Sequence, residues 1–139
     1  MSSLEKRLHR IFDLNKVKEN SFLETLIANG ITWHCGGMSD PFQPAEKKYR
    51  ITEQMIDICN EYNISILFST KSDTVYGANL NPNLHTFQLS VTNVNSNKLL
   101  EPAVPDIENR YEFYRSLKDN GFKVGIRIQP FVPNVTTLE

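Results

Sequence analysis

Cysteine is scarce in this chain of 139 residues: there are two, Cys35 and Cys59, 24 positions apart. Two cysteines make no disulfide framework, which points to a reducing, cytoplasmic setting. Long apolar runs are missing as well. No segment approaches the roughly 18–20 residues of a membrane span, and Met1-Ser2-Ser3-Leu4-Glu5-Lys6-Arg7 has no apolar signal core. Neither sign of charge dominates. Fifteen basic and sixteen acidic side chains leave a formal charge of −1, so bulk charge indicates no attraction to nucleic acid or to a membrane surface. No Gly-x-Ser-x-Gly elbow, phosphate loop or paired-glutamate signature occurs. Internal repeats, low-complexity stretches and linkers are equally missing. Residues 1–139 therefore read as a single domain.

What is there is an ordinary globular balance, 40% hydrophobic and 22% charged, enough to bury a core. Ser2 and Glu5 have capping-box spacing ahead of Leu4, Leu8, Ile11 and Phe12. A second helix is expected from about Asn20, with Phe22, Leu23, Leu26 and Ile27 on one face and Gly30 just past its end. Ile31 to Cys35 reads as a short strand. Pro44 to Tyr62 reads as one helix with Pro44 in its first turn and Ile51, Met55, Ile58, Cys59 and Tyr62 inward. Ile64 to Thr70 has the nearly continuous apolar centre of a parallel strand covered on both faces. Asp73 to His85 is rich in Asn, Gly and Pro, so the crossover helix expected there is short or missing. Thr86 to Thr92 alternates as a strand, and Asn93 to Pro105 is a long polar loop. Asp106 caps a helix through Asn120, with Ile107, Tyr111, Tyr114 and Leu117 inward. Val124 to Phe131 is the last strand, and Asn134 to Glu139 has the look of another helix start.

Strands near 31–35, 64–70, 86–92 and 123–130 thus alternate with helices. The pattern predicts an α/β fold: a curved, all-parallel sheet of about four strands in sequential order, with helices on the outer face. Such a sheet is a fragment of a TIM-type barrel, and it has two open edges. Ligands of such folds bind at the C-terminal ends of the strands. The segment Trp33-His34-Cys35-Gly36-Gly37-Met38-Ser39-Asp40-Pro41-Phe42-Gln43-Pro44-Ala45-Glu46 sits at that position, polar and punctuated by glycine.

This segment resembles the motif Gly-x-(Thr/Ser)-Asp-Pro-(Tyr/Phe)-Gln-Pro-x-Glu that follows the second strand in radical S-adenosylmethionine (SAM) enzymes of the spore photoproduct lyase-like, or DNA repair photolyase, group. Ser69-Thr70-Lys71-Ser72, Leu89-Ser90-Val91-Thr92 and Val124-Gly125-Ile126-Arg127-Ile128-Gln129-Pro130 resemble later segments of the same group, in the same order. The resemblance covers roughly residues 15–134 and implies the second to fifth βα units of an incomplete radical SAM core. It implies a lyase or repair-type enzyme using SAM and a [4Fe–4S] cluster. It also implies a cofactor site at Ser39, Asp40, Lys71 and Ser90; the loop at Gly36 and Gly37 joins that site through its carbonyls, and Arg127 on the last strand is a weaker candidate. Chemically, Asp40 and the loop carbonyls suit an ammonium, and Lys71 and Ser90 suit a carboxylate or a ribose.

One departure is large. The group holds its cluster through Cys-x-x-x-Cys-x-x-Cys, and Cys35 and Cys59 cannot supply three closely spaced thiolates. Cys59 falls on the apolar face of a helix and reads as core; Cys35 reads as a buried neutral thiol or a reactive one near the rim. No catalytic or metal-ligating residue is assigned. His34, Cys35 and Asp40 include ligand types, but neighbours on a strand point to opposite faces. Lys47, Lys48 and Arg50 read as a solvated face or as a phosphate patch, and the aromatic residues as core or base-stacking platforms. Three functions follow: a radical SAM core segment whose cluster loop comes from a second chain; a non-catalytic remnant or binding module; and a nucleic-acid-associated subunit.

Overall fold

The elements form where backbone and side-chain chemistry agree, as a computed structural model describing residues 2–92 and 101–131 shows. The helix start expected at Asn134 and most of the 93–105 loop lie outside those residues. Helix α1, Ser3–Leu8, opens with the capping box anticipated for Ser2 and Glu5 and runs on through a π-helical turn, His9–Asp13. Helix α2 is Phe22–Ala28, capped by Ser21. Strand β1 is Trp33–Cys35, α3 is Glu46–Tyr49 and α4 is Ile51–Glu61. Strand β2 is Ile66–Thr70, β3 is His85–Val91, α5 is Ile107–Asp119 and β4 is Lys123–Ile128.

The four strands make one sheet in the order β1-β2-β3-β4, parallel at every pairing. That is the α/β arrangement the alternation of elements predicts, an arc of parallel sheet compatible with part of a barrel. The register puts Cys35, Phe68, Phe87 and Val124 in one row across the sheet. Ile66, Phe68, Phe87, Leu89 and Val91 share that face and are buried with Leu8, Ile11, Ile27, Phe42, Ile56, Cys59, Ile64, Tyr114 and Leu117. Phe68 is the hub, with ring centroids 5.1 Å from Phe42 and 5.3 Å from Phe87. Deleting one such ring costs about 3–5 kcal/mol.

The opposite face carries His34, Leu67, Ser69, Thr86, Gln88, Ser90, Lys123, Gly125 and Arg127. All of these except Ser69 keep some contact with solvent. Coverage of β2 on both faces, expected from its apolar run, is partial: on the open face Ser69 is buried and Leu67 half-buried.

Four other expectations shift. The helix expected across 44–62 is broken at Arg50, whose φ of 51° is left-handed. Pro44 and Ala45 stay in a turn, outside the helix. The break is held by the buried Glu46, whose carboxylate accepts the Thr52 N–H at 2.7 Å and so caps α4 from the side. The interruption rotates α4, so Thr52, Ile56 and Cys59 are buried and Ile51 is 65% exposed. In α2, Ile27 and Glu24 are buried while Phe22 and Leu23 face solvent. Tyr111 on α5 is exposed, and Arg110 takes the inward position beside Tyr114 and Leu117. Ile31 is exposed and precedes β1, and β4 ends at Ile128. The crossover from 71 to 84 consists of turns with no helix, as its composition foretold.

Candidate functional site

Gly36 starts the site. Its φ is +115°, and a Cβ there would lie 2.0 Å from the Ser69 carbonyl oxygen. Only a residue without a side chain lets the chain leave β1 so close to the end of β2. The loop then turns back, and Asp40 fastens it. Asp40 Oδ1 accepts from the Phe42 N–H at 2.9 Å and from the Thr70 hydroxyl at 2.7 Å. Asp40 Oδ2 accepts from the Lys71 N–H at 2.7 Å. Phe42, 1% exposed, plugs the core directly below. Asp40 thus ties the β1 loop to the end of β2, and the geometry leaves one acceptor position on Oδ2.

A hollow of about 240 Å³ opens at this C-terminal rim. Gly36, Gly37, Ser39, Asp40, Lys71 and Ser90 all line it, with Met38, Ser69 and Thr70. Strands β2 and β3 and the loops after β1 and β2 meet there. Their side chains are not equivalent. Ser90 belongs to the open sheet face, whereas Asp40 is turned toward Thr70 on the helix-covered side.

Lys71 is engaged. Its ammonium pairs with Glu101, a carboxylate that also accepts the Thr92 hydroxyl at 2.7 Å and an Arg110 N–H at 3.3 Å. Arg110 is fully buried and donates to the Ser90 carbonyl. Burial works to raise the Glu101 carboxyl, but the bonds from Lys71 and Thr92 and the charges of Lys71 and Arg110 outweigh it and hold it below its ordinary value. A carboxylate ligand at Lys71 must share the ammonium with Glu101 or displace it. This network was not foreseen. Arg110 had a readable signal, because a charge interrupts the inward spacing 107, 114, 117. Glu101 had none.

Cys59 is 0% exposed, and burial first, with Cys35 nearby, pushes its thiol up to about 11. Cys35 is half-buried; burial and then the Asp40 and Glu46 charges raise its thiol too, so its neutral form is the stable one. His34 stands on the open face with Nε2 2.8 Å from the Ser69 hydroxyl, apart from Cys35 and Asp40. No group of three His, Cys, Asp or Glu among the described residues is arranged to hold a metal ion. Lys47 lies over Tyr76, Lys48 over Tyr49, and Arg50 pairs with Glu53. Among the described residues, no helix is long and apolar enough to cross a membrane.

No protein-family model and no solved structure matches the chain. It is 30% identical over 112 residues to an uncharacterized protein of Methanocaldococcus jannaschii. That alignment takes in 76% of this chain and 42% of the relative, so the chain spans less than half the length of the protein it matches.

Proposed function

We propose that the chain is the middle of a radical SAM-type core, and that its rim hollow takes the amino-acid end of SAM. The observation that carries the reading is the meeting of Gly36, Gly37, Ser39, Asp40, Lys71 and Ser90, from three separate stretches of sequence, around one small concavity at the strand ends. Lys71 supplies the cation for a ligand carboxylate, and the remaining Asp40 acceptor with the loop carbonyls suits an ammonium. At about 240 Å³ the hollow is smaller than the roughly 300–1,000 Å³ of complete ligand pockets. It accommodates the zwitterion, and the nucleoside would extend over the polar open face. The residues present do not fit the cluster: one thiol is core and the other half-buried with its neutral form favoured. Any cluster loop belongs to sequence or a second chain beyond these residues. Lyase or repair activity and a nucleic-acid substrate belong to that larger assembly.

A second reading has its own support. Asp40 and Lys71 are already used, one as a staple and the other by Glu101. That suits a scaffold or binding module that keeps the motif for its fold. Calorimetry with S-adenosylhomocysteine separates the two. Weak binding, reduced about tenfold or more in Lys71→Ala, supports the cofactor reading. Binding equal in the two proteins removes Lys71 from the site, and no binding in either favours the scaffold.

A further inference from the structure

The open sheet face has an uneven charge that the rim hollow does not use. Alternation along β4 puts Lys123, Gly125 and Arg127 on that face, and none of the four strands contains an acidic residue, although the chain has sixteen. Gln88 stands beside Gly125 in register, and Ser90 beside Arg127. Arg127 is half-buried, yet it has no hydrogen-bonding or ionic partner among the described residues; Lys123 has none either and is exposed. A partly buried guanidinium without a counter-ion has donors left for an anionic ligand. Ser69 donates to Gln88 Oε1 at 3.1 Å, which turns the Gln88 amide N–H groups outward. Gly125 has open space where a side chain would be. The groups available over this glycine are therefore donors: two cations, an amide and a hydroxyl. Lys123 and Arg127 lie about 13 Å apart along the strand at roughly 3.3 Å per residue, a span their long side chains can close from both ends onto one anion.

We infer that this face holds an anionic phosphate group over Gly125, gripped by Arg127 and Lys123 and oriented by Gln88 and Ser90. A phosphate presents two terminal oxygens in a diester and three in a monoester, and Arg meets two of them through its planar fork. The site shares Ser90 and the open face with the rim reading, but Arg127, Lys123 and Gln88 belong to it alone. Two sources share this chemistry, a small phosphate ester and the backbone of a nucleic acid.

Nuclear magnetic resonance titration of the whole chain with pyrophosphate, and separately with a short single-stranded oligonucleotide, tests it. Saturable shifts of the Gly125 and Arg127 amides are expected, with affinity about tenfold weaker in Arg127→Gln and in Lys123→Gln. Lys48→Gln should bind as the wild type does. Stronger binding of pyrophosphate marks a small ester, and stronger binding of the oligonucleotide marks a polymer. Lys123 is exposed, so Lys123→Gln keeps the test decisive if Arg127→Gln does not fold. Unshifted Gly125 and Arg127 amides, equal affinity in Lys123→Gln, or an equal loss in Lys48→Gln would overturn the proposal.

Discussion

Single residues fix the rim more firmly than its polarity suggests. Gly36 is the sharpest case, because its missing side chain lets the loop pass against the Ser69 carbonyl. In Gly36→Ala the loop must lift away and the Asp40 bonds loosen. The expected loss is roughly 2–4 kcal/mol from the clash and the left-handed φ together, read as a lower urea midpoint; an unchanged midpoint would show that the loop is not pinned there. His85 is a second case. It is 1% exposed, its Nδ1 accepts the Asn81 N–H at 2.9 Å, and its ring meets Phe68 edge-on. Burial lowers its pKa to about 4. The unfolded chain binds that proton near pH 6.5, so between about 6.5 and 4 the unfolded state holds more protons than the folded one. Stability therefore falls as pH falls through this window, by about 2–3 kcal/mol for this group. Urea unfolding at pH 7 and pH 5 should show the drop, and His85→Gln should flatten it. A wild-type protein equally stable at both values would contradict the assignment.

At the scale of elements, a buried charge network joins β2, β3 and α5. Lys71 follows β2, Thr92 follows β3, Arg110 is on α5, and Glu101 binds all three. Glu101→Gln keeps the shape and the Thr92 contact but takes the carboxylate charge away from Lys71 and Arg110. Removing one partner of a buried pair costs about 3–5 kcal/mol, so calorimetric unfolding should place this variant well below the wild type. A loss under about 1 kcal/mol would mark the cluster as solvated. Helix phases show where sequence reading stops. The capping box at Ser2 and the turn-rich 71–84 crossover were legible, because each depends on neighbouring residues. The turn of α4 was not: Arg50 adopts a positive φ only because Glu46 reaches six residues forward to Thr52. Arg110 sits at an inward position of its helix, but its partner Glu101 comes from a polar loop that gave no signal.

For the whole molecule, the parallel order of the four strands followed from apolar periods of two and of three to four, which report directly on burial. The gathering of Gly36, Ser39, Asp40, Lys71 and Ser90 at one rim follows from that order, because equivalent ends of neighbouring parallel strands lie about 4.8 Å apart. What those side chains bond to was not legible, because it depends on rotamers and on Glu101. The same whole-chain geometry decides the fate of iron. A four-iron cluster needs three thiolates that converge and can lose their protons. Here Cys59 is locked into the core with its thiol raised to about 11, and Cys35 is half-buried at the end of β1. Forming a cluster on Cys59 would require opening the core. Anaerobic reconstitution of this chain alone should therefore leave no stable cluster, and Cys59→Ser should lower stability without changing bound iron. About four irons per chain, with the matching absorbance and loss of that iron in Cys35→Ser, would refute this and show that copies of the chain pool their cysteines. Addition of a polypeptide that carries Cys-x-x-x-Cys-x-x-Cys is the complementary arm. If the chain is the middle of a divided core, iron and sulfide should then assemble on that added segment and protect the Gly36–Asp40 loop from hydrogen exchange. An unprotected loop would leave the scaffold reading standing.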